Sequence, residues 1–210
     1  MPLPRFQKLD DSRKKTILAA AAEEFGERGF AQASYNRIIE RAGISKGAMY
    51  YYFADKDDLY RTVLDAALAQ WLIQVGFPFE ADDAASFWNA CREMYARSLR
   101  FMLEDPRNAA LCLSIINARA RLEGHPVLHA LNERMMEWTG MLVAQGRALG
   151  AVREDLPAEL LVHAGLALMD AGDRWLASRW DELNQDAVDE TAAMMVDLFR
   201  RVGEPETRES

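Results

Sequence analysis

The segment 34–53 constrains the fold more than any other part of the chain, because its pattern predicts two short helices separated by a tight turn. Ser34 and Ser45 are good N-cap residues, and each precedes a stretch with helical apolar spacing. Residues 42–45 lie between the two stretches, and Gly43 is placed to end the first helix. This arrangement predicts a helix-turn-helix, whose second helix can enter the major groove of DNA.

The second of these helices has one buried and one outward side. Helical spacing places Met49 and Phe53 together, facing the core. The opposite side carries two small residues and one tyrosine: Gly47, Ala48 and Tyr51. The flanks carry Lys46, Tyr50 and Tyr52. Small outward residues let a backbone approach base edges, and flanking Lys and Tyr groups can donate to phosphates. The alternative is that the tyrosines are core aromatics, but three consecutive ones cannot all face one core.

Helical spacing recurs along the rest of the chain, and no period-2 run of β-branched residues indicates a strand. The sequence therefore predicts an all-α protein of about nine helices. Residues 1–56 are expected to form a three-helix DNA-binding domain. Residues 57–210 are expected to form a second helical domain.

The charge distribution supports a DNA-binding head. The net charge of −8 by itself argues weakly against a nucleic-acid partner. However, residues 1–53 hold nine Lys and Arg against six Asp and Glu, whereas residues 54–210 hold sixteen against twenty-seven. A basic N-terminal part on an acidic body is typical of a DNA-binding head with a separate C-terminal role, although a chance asymmetry is the alternative.

Several classes of protein are excluded or disfavoured. The longest apolar stretch, 160–169, is too short to span a bilayer, and the N-terminus lacks the apolar core of a secretory signal. A cytoplasmic location is therefore expected. Neither a nucleophile–base motif nor a phosphate-binding glycine loop is present, so we expect no enzyme activity and no cofactor.

Two pairs of side chains leave alternatives open. Cys91 and Cys112 could form a redox pair, but buried free thiols are the usual case. His125 and His129 have a spacing that occurs in metal sites, but no further ligand accompanies them, and no metal site is predicted.

The string from Phe30 to Leu59, FAQASYNRIIERAGISKGAMYYYFADKDDL, resembles the DNA-binding domain of the TetR/AcrR family of transcriptional regulators. The resemblance implies that a set of polar and aromatic residues contacts phosphates: Ser34, Tyr35, Ser45, Lys46, Tyr50, Tyr52 and Lys56. It implies base-proximal positions at Gly47, Ala48 and Tyr51. Three residues depart from the family pattern, namely Tyr35, Arg37 and Ile39, and Arg37 is a candidate to reach DNA itself.

The C-terminal part is expected to bind an effector, as the family does. Aromatic and other residues on predicted inward faces are the candidates for ligand contact: Trp71, Trp88, Tyr95, Cys112, Ile116, Met135, Trp138 and His163. Most of them are equally compatible with an ordinary core. Asp170 could meet a cationic effector, but pairing with Arg174 four residues on is the favoured interpretation.

The last two helices are expected to form a homodimer interface, also by resemblance. The penultimate helix offers Leu161, Gly165, Leu168, Gly172 and Trp175, and the last offers Val188, Ala192, Met195, Phe199 and Val202. Packing within one chain is the alternative for both stripes. The resulting hypothesis is a dimeric repressor released from its operator DNA by a small hydrophobic effector. The alternatives are an activator, a regulator without a ligand, or an all-α enzyme or binding module with a merely structural helix-turn-helix.

Overall fold

A computed structural model describes residues 4–118 and 126–206 of the chain. Those residues contain ten α-helices and no strand, which confirms the predicted all-α class. The first five helices are α1 (Pro4–Gln7), α2 (Asp11–Gln32), α3 (Tyr35–Arg41), α4 (Lys46–Tyr52) and α5 (Lys56–Val75). The remaining five are α6 (Ala84–Glu104), α7 (Pro106–Ala118), α8 (Pro126–Ala148), α9 (Ala158–Ala177) and α10 (Val188–Gly203). Two short 3₁₀ turns, Trp180–Glu182 and Gln185–Ala187, precede α10.

The chain divides into two compact units. The first combines residues up to Gln70 with residues 105–131, and the second combines residues 71–104 with those from Asn132 onward. This division is one of packing, and it groups α7 with the N-terminal helices. The functional boundary after residue 56 stays a prediction.

The core of the first unit holds the helix-turn-helix in place. Its fully buried side chains come from four helices, α2 to α5, and from the residue that follows α4: Ile17, Phe25, Ile38, Met49, Phe53, Leu59 and Tyr60. Helix α2 packs closely on α7, because a Cβ atom on Gly26 would lie 3.1 Å from Ala110 Cβ and 3.2 Å from the backbone nitrogen of Leu111. Any larger residue at Gly26 would therefore separate these two helices.

Helix α1 was not predicted from the sequence. It is only four residues long, but Phe6 is buried in the core of the first unit. The ring of Phe6 lies 4.7 Å from that of Phe53 and 6.2 Å from that of Tyr52, measured between centroids. The N-terminal segment is therefore anchored beside α4.

A kink at Gly29 interrupts the long helix α2. Gly29 has φ +68° and ψ 166°, a conformation that glycine adopts easily. However, the helical turn resumes, and α2 ends at Gln32.

The second unit contains α6, α8, α9 and α10 around apolar clusters. Phe87, Cys91 and Val152 centre one cluster, and Leu99, Leu176 and Val188 belong to another. Polar contacts fix the start of the unit: Trp71 Nε1 donates to Ser98 Oγ at 2.7 Å, and Arg97 donates twice to the carbonyl oxygen of Val75. These contacts position α6, whose inward face borders the cavity described below.

Candidate DNA-contacting surface and apolar cavity

The caps and turn predicted between α3 and α4 are confirmed. Ser34 Oγ accepts a hydrogen bond from the backbone nitrogen of Arg37, and Ser45 Oγ accepts one from that of Ala48, at 3.4 Å and 3.1 Å. Gly43 has φ +60°, which lets the chain reverse after α3 at no steric cost. Local residue types therefore determine how α4 starts.

The two sides of α4 are also as predicted. Met49 and Phe53 are fully buried, whereas Tyr50 and Tyr51 are about half exposed, at 51% and 49%. Ser45, Lys46 and Gly47 are exposed, and Ala48 and Tyr52 are half-buried. The structure thus brings seven of the predicted DNA-contacting residues together on one short helix and its cap. We call the set Ser45, Lys46, Gly47, Ala48, Tyr50, Tyr51 and Tyr52 the α4 surface.

Tyr35 supports this surface from α3. Its ring lies 5.3 Å from that of Tyr50. Its hydroxyl is buried and has no hydrogen-bond partner among the described residues. Burial first, and then the nearby Tyr50, Asp55 and Asp58, raise the pKa of Tyr35, so the phenol stays protonated. In this conformation the hydroxyl is not accessible to a phosphate, and the phosphate contact of Tyr35 stays a prediction.

Arg37 is held by a buried carboxylate in this structure, and its contact with DNA stays a prediction. Its Nε donates to Glu24 Oε1 at 2.8 Å, and its Nη2 lies 2.7 Å from the same oxygen. The backbone nitrogen of Ser34 donates to this oxygen as well, at 2.8 Å. Glu24 therefore ties the start of α3 to α2, a role that its position in the sequence did not reveal.

The ion pair also controls the protonation of Glu24, whose side chain is fully buried. Burial alone would raise the pKa of this carboxyl. The hydrogen bonds from Arg37 and Ser34 and the charges of Arg37 and Arg41 outweigh burial, so the pKa of Glu24 lies below its ordinary value. Glu24 is therefore ionised at neutral pH.

Lys56 is likewise engaged inside the first unit. Its Nζ donates to the carbonyl oxygens of Phe30, Ala31 and Ala33, at 2.9, 3.4 and 3.4 Å. These carbonyls lie at the C-terminal end of α2, where a cation is favoured. In this conformation the ammonium group already has three acceptors, and the phosphate contact of Lys56 stays a prediction.

The second unit encloses an apolar cavity of about 140 Å³. Of the predicted ligand residues, Trp88, Tyr95 and Trp138 line it. Sequence reasoning missed other lining residues: Phe87, Cys91, Met94, Thr139, Leu142 and Val143. Several of these share the apolar face of α6 with Tyr95, and that face was the available signal.

Two predicted ligand residues lie close to the cavity without lining it. Trp71 packs edge-on against Trp138, with ring centroids 5.4 Å apart, and Met135 belongs to the same cluster. Both therefore support the cavity wall from behind.

Four other predicted ligand residues do not belong to this cavity. Cys112 and Ile116 lie on α7, in the first unit. His163 is exposed, with its Nδ1 2.8 Å from the carbonyl oxygen of Glu159. Asp170 forms an ion pair with Arg174, the favoured alternative. Helical spacing could not separate these side chains from true lining residues, because it does not say which neighbour covers a face.

The cavity wall contains polar atoms but no charged side chain. The indole nitrogens of Trp88 and Trp138 are buried donors without an acceptor among the described residues. Burial raises the pKa of the Cys91 thiol to about 12 and also, as the main cause, raises that of Tyr95. All of these groups are therefore neutral at physiological pH, and neither Cys91 nor Cys112 is part of a disulfide.

Half of the predicted dimer stripe is core of the second unit and is not available at the surface. Leu161, Gly172, Val188, Ala192 and Met195 are buried within the single chain. A Cβ atom on Gly172 would lie 1.9 Å from Met195 Cε, so the glycine makes room for a methionine of its own chain.

The other members of that stripe divide between the cavity and the surface. Gly165, Leu168, Phe199 and Val202 line the cavity, while Trp175 remains exposed. The exposed large apolar side chains of α9 and α10 are Leu160, Trp175, Met194, Leu198 and Val202, and Val202 also borders the cavity. Leu160 and Trp175 share one face of α9 with Ala164, Ala167 and Ala171, and Met194 and Leu198 are one helical turn apart on α10.

Two further findings concern the described residues only. They contain no group of three His, Cys, Asp or Glu side chains that could hold a metal ion, and His125 lies outside them. None of their helices combines the length and the apolar character needed to cross a membrane.

Known proteins resemble this chain both in sequence and in fold. Residues 17–63 match the family model described as bacterial regulatory proteins, tetR family. The regulator RutR of Escherichia coli is 43% identical over 61 residues, which cover 29% of this chain and 29% of RutR. The dual regulator CecR of Shigella flexneri is 26% identical over 212 residues, covering 90% of this chain and 92% of CecR.

The fold likeness extends over the whole chain. A crystal structure of a TetR family transcriptional regulator from Chloroflexus aurantiacus superposes with a TM-score of 0.63 and 22% identity, over 98% of this chain and all of that one. The fold and the α4 surface define the class of helix-turn-helix regulatory proteins. Residues 17–63 therefore carry the tetR-family domain, and the whole chain has the fold of a TetR family regulator.

Proposed function

We propose that this protein is a dimeric transcriptional regulator that binds operator DNA through the α4 surface and is released by a small, neutral, apolar effector. The observation that carries the proposal is the exposure of that surface. Two half-exposed tyrosines, an exposed lysine and an exposed glycine occupy a seven-residue helix whose opposite side is fully buried. An all-α enzyme would have no reason to keep such a set.

The proposed DNA contacts follow from the chemistry of the α4 surface. Lys46 can neutralise a phosphate, and the hydroxyls of Tyr50 and Tyr52 can donate to phosphate oxygens. Ser34 is half-buried and has already accepted a hydrogen bond from the backbone of α3, so its contact would use the remaining hydroxyl proton. Gly47 and Ala48 leave the leading edge of α4 small enough to approach base edges. Because the proposed partner is DNA, the proposed location of the protein is the cytoplasm.

The proposed effector follows from the cavity of the second unit. A volume of about 140 Å³ matches an apolar cavity that holds a single benzene-sized ring. The neutral wall disfavours an ion, because a charge moved there would lose its hydration without gaining a partner.

The proposed dimer uses the exposed faces of α9 and α10 rather than the buried stripe. On α10, Leu198 is 44% exposed and Met194 43%, whereas Ala192, Met195 and Val196 of the same helix are buried. Exposed apolar rows of this kind mark protein–protein contacts. A two-fold pair of such faces would join two chains and present two α4 surfaces to one operator.

A titration of labelled duplex DNA tests the proposal. The probe is the DNA that flanks the protein's own gene, measured alone and with benzaldehyde, a neutral ring with an acceptor, or benzoate, its charged counterpart. We expect specific binding that benzaldehyde weakens, with a coupling of about 1–3 kcal/mol, and that benzoate leaves unchanged. An increase in affinity with benzaldehyde would instead indicate that the effector strengthens DNA binding. The absence of specific binding would contradict the proposal.

Lys46→Ala and Arg92→Ala form a matched pair for the same titration. Each removes one positive charge, but Arg92 is exposed on α6 of the second unit. We expect Lys46→Ala to weaken binding to all sequences alike and to lower the salt dependence by about one ion. Arg92→Ala should bind like the unmutated protein.

A further inference from the structure

The N-terminal segment places a guanidinium group on the α4 surface. The central carbon of the Arg5 guanidinium lies 4.2 Å from the centroid of the Tyr51 ring. This is stacking distance for an arginine on an aromatic face. Tyr51 is the one large side chain on the outward side of α4, so Arg5 is located where base edges would be read.

The position of Arg5 is fixed by its neighbour in the sequence. Phe6 is buried and packs between the rings of Phe53 and Tyr52. Arg5 itself is exposed, as is Tyr51. The buried Phe6 therefore holds the guanidinium group of Arg5 beside α4. The edge of that guanidinium stays open to a partner.

The α4 surface lacks the residue types that recognise bases best. Residues 46–52 contain no Arg, Asn or Gln, the side chains that make bidentate hydrogen bonds to guanine or adenine. Arg37 does not fill this gap, because Glu24 holds its guanidinium. Lys56 does not fill it either, because its ammonium group is bonded to carbonyls at the end of α2.

We infer that Arg5 is a DNA-contacting residue and that Tyr51 is its platform. The inference rests on the proposed binding of DNA by the α4 surface. A guanidinium stacked by its face on a ring keeps its N–H groups directed outward along its edge. Those donors can form a bidentate pair with a guanine edge or with a phosphate. The first nine residues carry Arg5 and Lys8 and no acidic residue, which favours approach to DNA.

The test uses two probes: a duplex selected from a randomised pool by the unmutated protein, and a duplex of random sequence. Arg5→Ala is expected to weaken binding to the selected duplex about tenfold. Arg92→Ala removes the same charge from the second unit and is expected to bind like the unmutated protein. A loss confined to the selected duplex identifies a base contact. An equal loss on both duplexes, with a salt dependence lower by about one ion, identifies a phosphate contact.

Tyr51 variants test the platform. Tyr51→Phe keeps the ring, so Arg5→Ala should still cost about tenfold in that background. Tyr51→Ala removes the ring, so Arg5→Ala should cost much less there, because the guanidinium is no longer held in place. A thermal melt of each variant verifies that the fold is unchanged, as expected for two exposed side chains.

The inference is overturned if Arg5→Ala binds both duplexes like the unmutated protein, or if it loses no more affinity than Arg92→Ala. An undiminished effect of Arg5→Ala in the Tyr51→Ala background would overturn the platform role. Failure of the unmutated protein to select any duplex would overturn the proposed function together with this inference. The two failures are therefore distinguishable.

Discussion

The α4 surface and the α9–α10 pair differ in what determines which of their residues face outward. On α4, two serine caps, a glycine turn and two buried side chains decide the orientation within a short stretch of sequence. On α9 and α10 the apolar residues exceed what one face can bury, and the fold decides which of them turn inward. Orientation is therefore a local property in the first region and a property of tertiary packing in the second.

Replacing the smallest residue of the α4 surface should have the largest effect. A Cβ atom on Gly47 would meet only Ser45 Oγ, at 3.9 Å, so the fold tolerates a side chain there. Gly47→Leu should nevertheless reduce operator affinity to the level of random DNA, roughly a 10³-fold loss or more, because leucine blocks the groove. Gly47→Ala is the control for helix propensity. Normal operator binding by Gly47→Leu in a fluorescence titration would refute this role of α4.

Two single variants, each with one new charge on a neighbouring turn of α10, test the difference between its buried and exposed faces. Met195→Asp places a charge in the core and should unfold the second unit, a cost of about 3 kcal/mol or more. Leu198→Asp places it on the exposed face and should give folded monomers. Sedimentation and circular dichroism distinguish the two outcomes. If Leu198→Asp remains dimeric at micromolar concentration, the proposed interface is wrong.

The buried ion pair of the first unit should depend on pH. Glu24→Gln removes the charge that Arg37 and Ser34 bind, and should lower the free energy of unfolding by about 1–3 kcal/mol at pH 7. Because the folded-state pKa of Glu24 lies below its ordinary value of 4.5, the stabilisation is present above that pH and is lost as the pH falls below it. Denaturant titrations should show the gap between the two proteins shrinking below pH 4.5. A gap that stays constant would contradict the ion pair.

A methyl group added to the cavity should have the smallest effect. A Cβ atom on Gly165 would make ordinary contact with Thr139 Cγ2 at 3.5 Å. Gly165→Ala should therefore raise stability by about 0.5–1 kcal/mol, as alanine does in helices, while weakening benzaldehyde binding. Gly140→Ala, where a Cβ atom meets nothing within 4 Å, gives the same helix gain without touching the cavity. Equal ligand affinity in the two variants would show that benzaldehyde binds elsewhere.

The sequence predicted the helix-turn-helix well, because its caps, turn and buried pair act within a few residues of one another. It did not predict the pairing of Glu24 with Arg37, since thirteen residues separate them and neither position has a distinctive local pattern. Helix α1 was missed because a four-residue helix carries no periodic signal. Met195 was assigned to the surface because helical spacing identifies an apolar face without identifying the chain that covers it.

Hydrogen exchange of the protein bound to its selected duplex tests the central claim most directly. The backbone amides of residues 45–52 should exchange more slowly in the complex than in the free protein, and so should those around Arg5 if the N-terminal segment joins the interface. Peptides from α6 that contain Arg92 should exchange at the same rate with and without duplex, because α6 lies outside the proposed DNA interface. Saturating duplex that leaves exchange in residues 45–52 unchanged, or that protects only peptides of the second unit, would contradict the assignment of α4 as the DNA-binding helix.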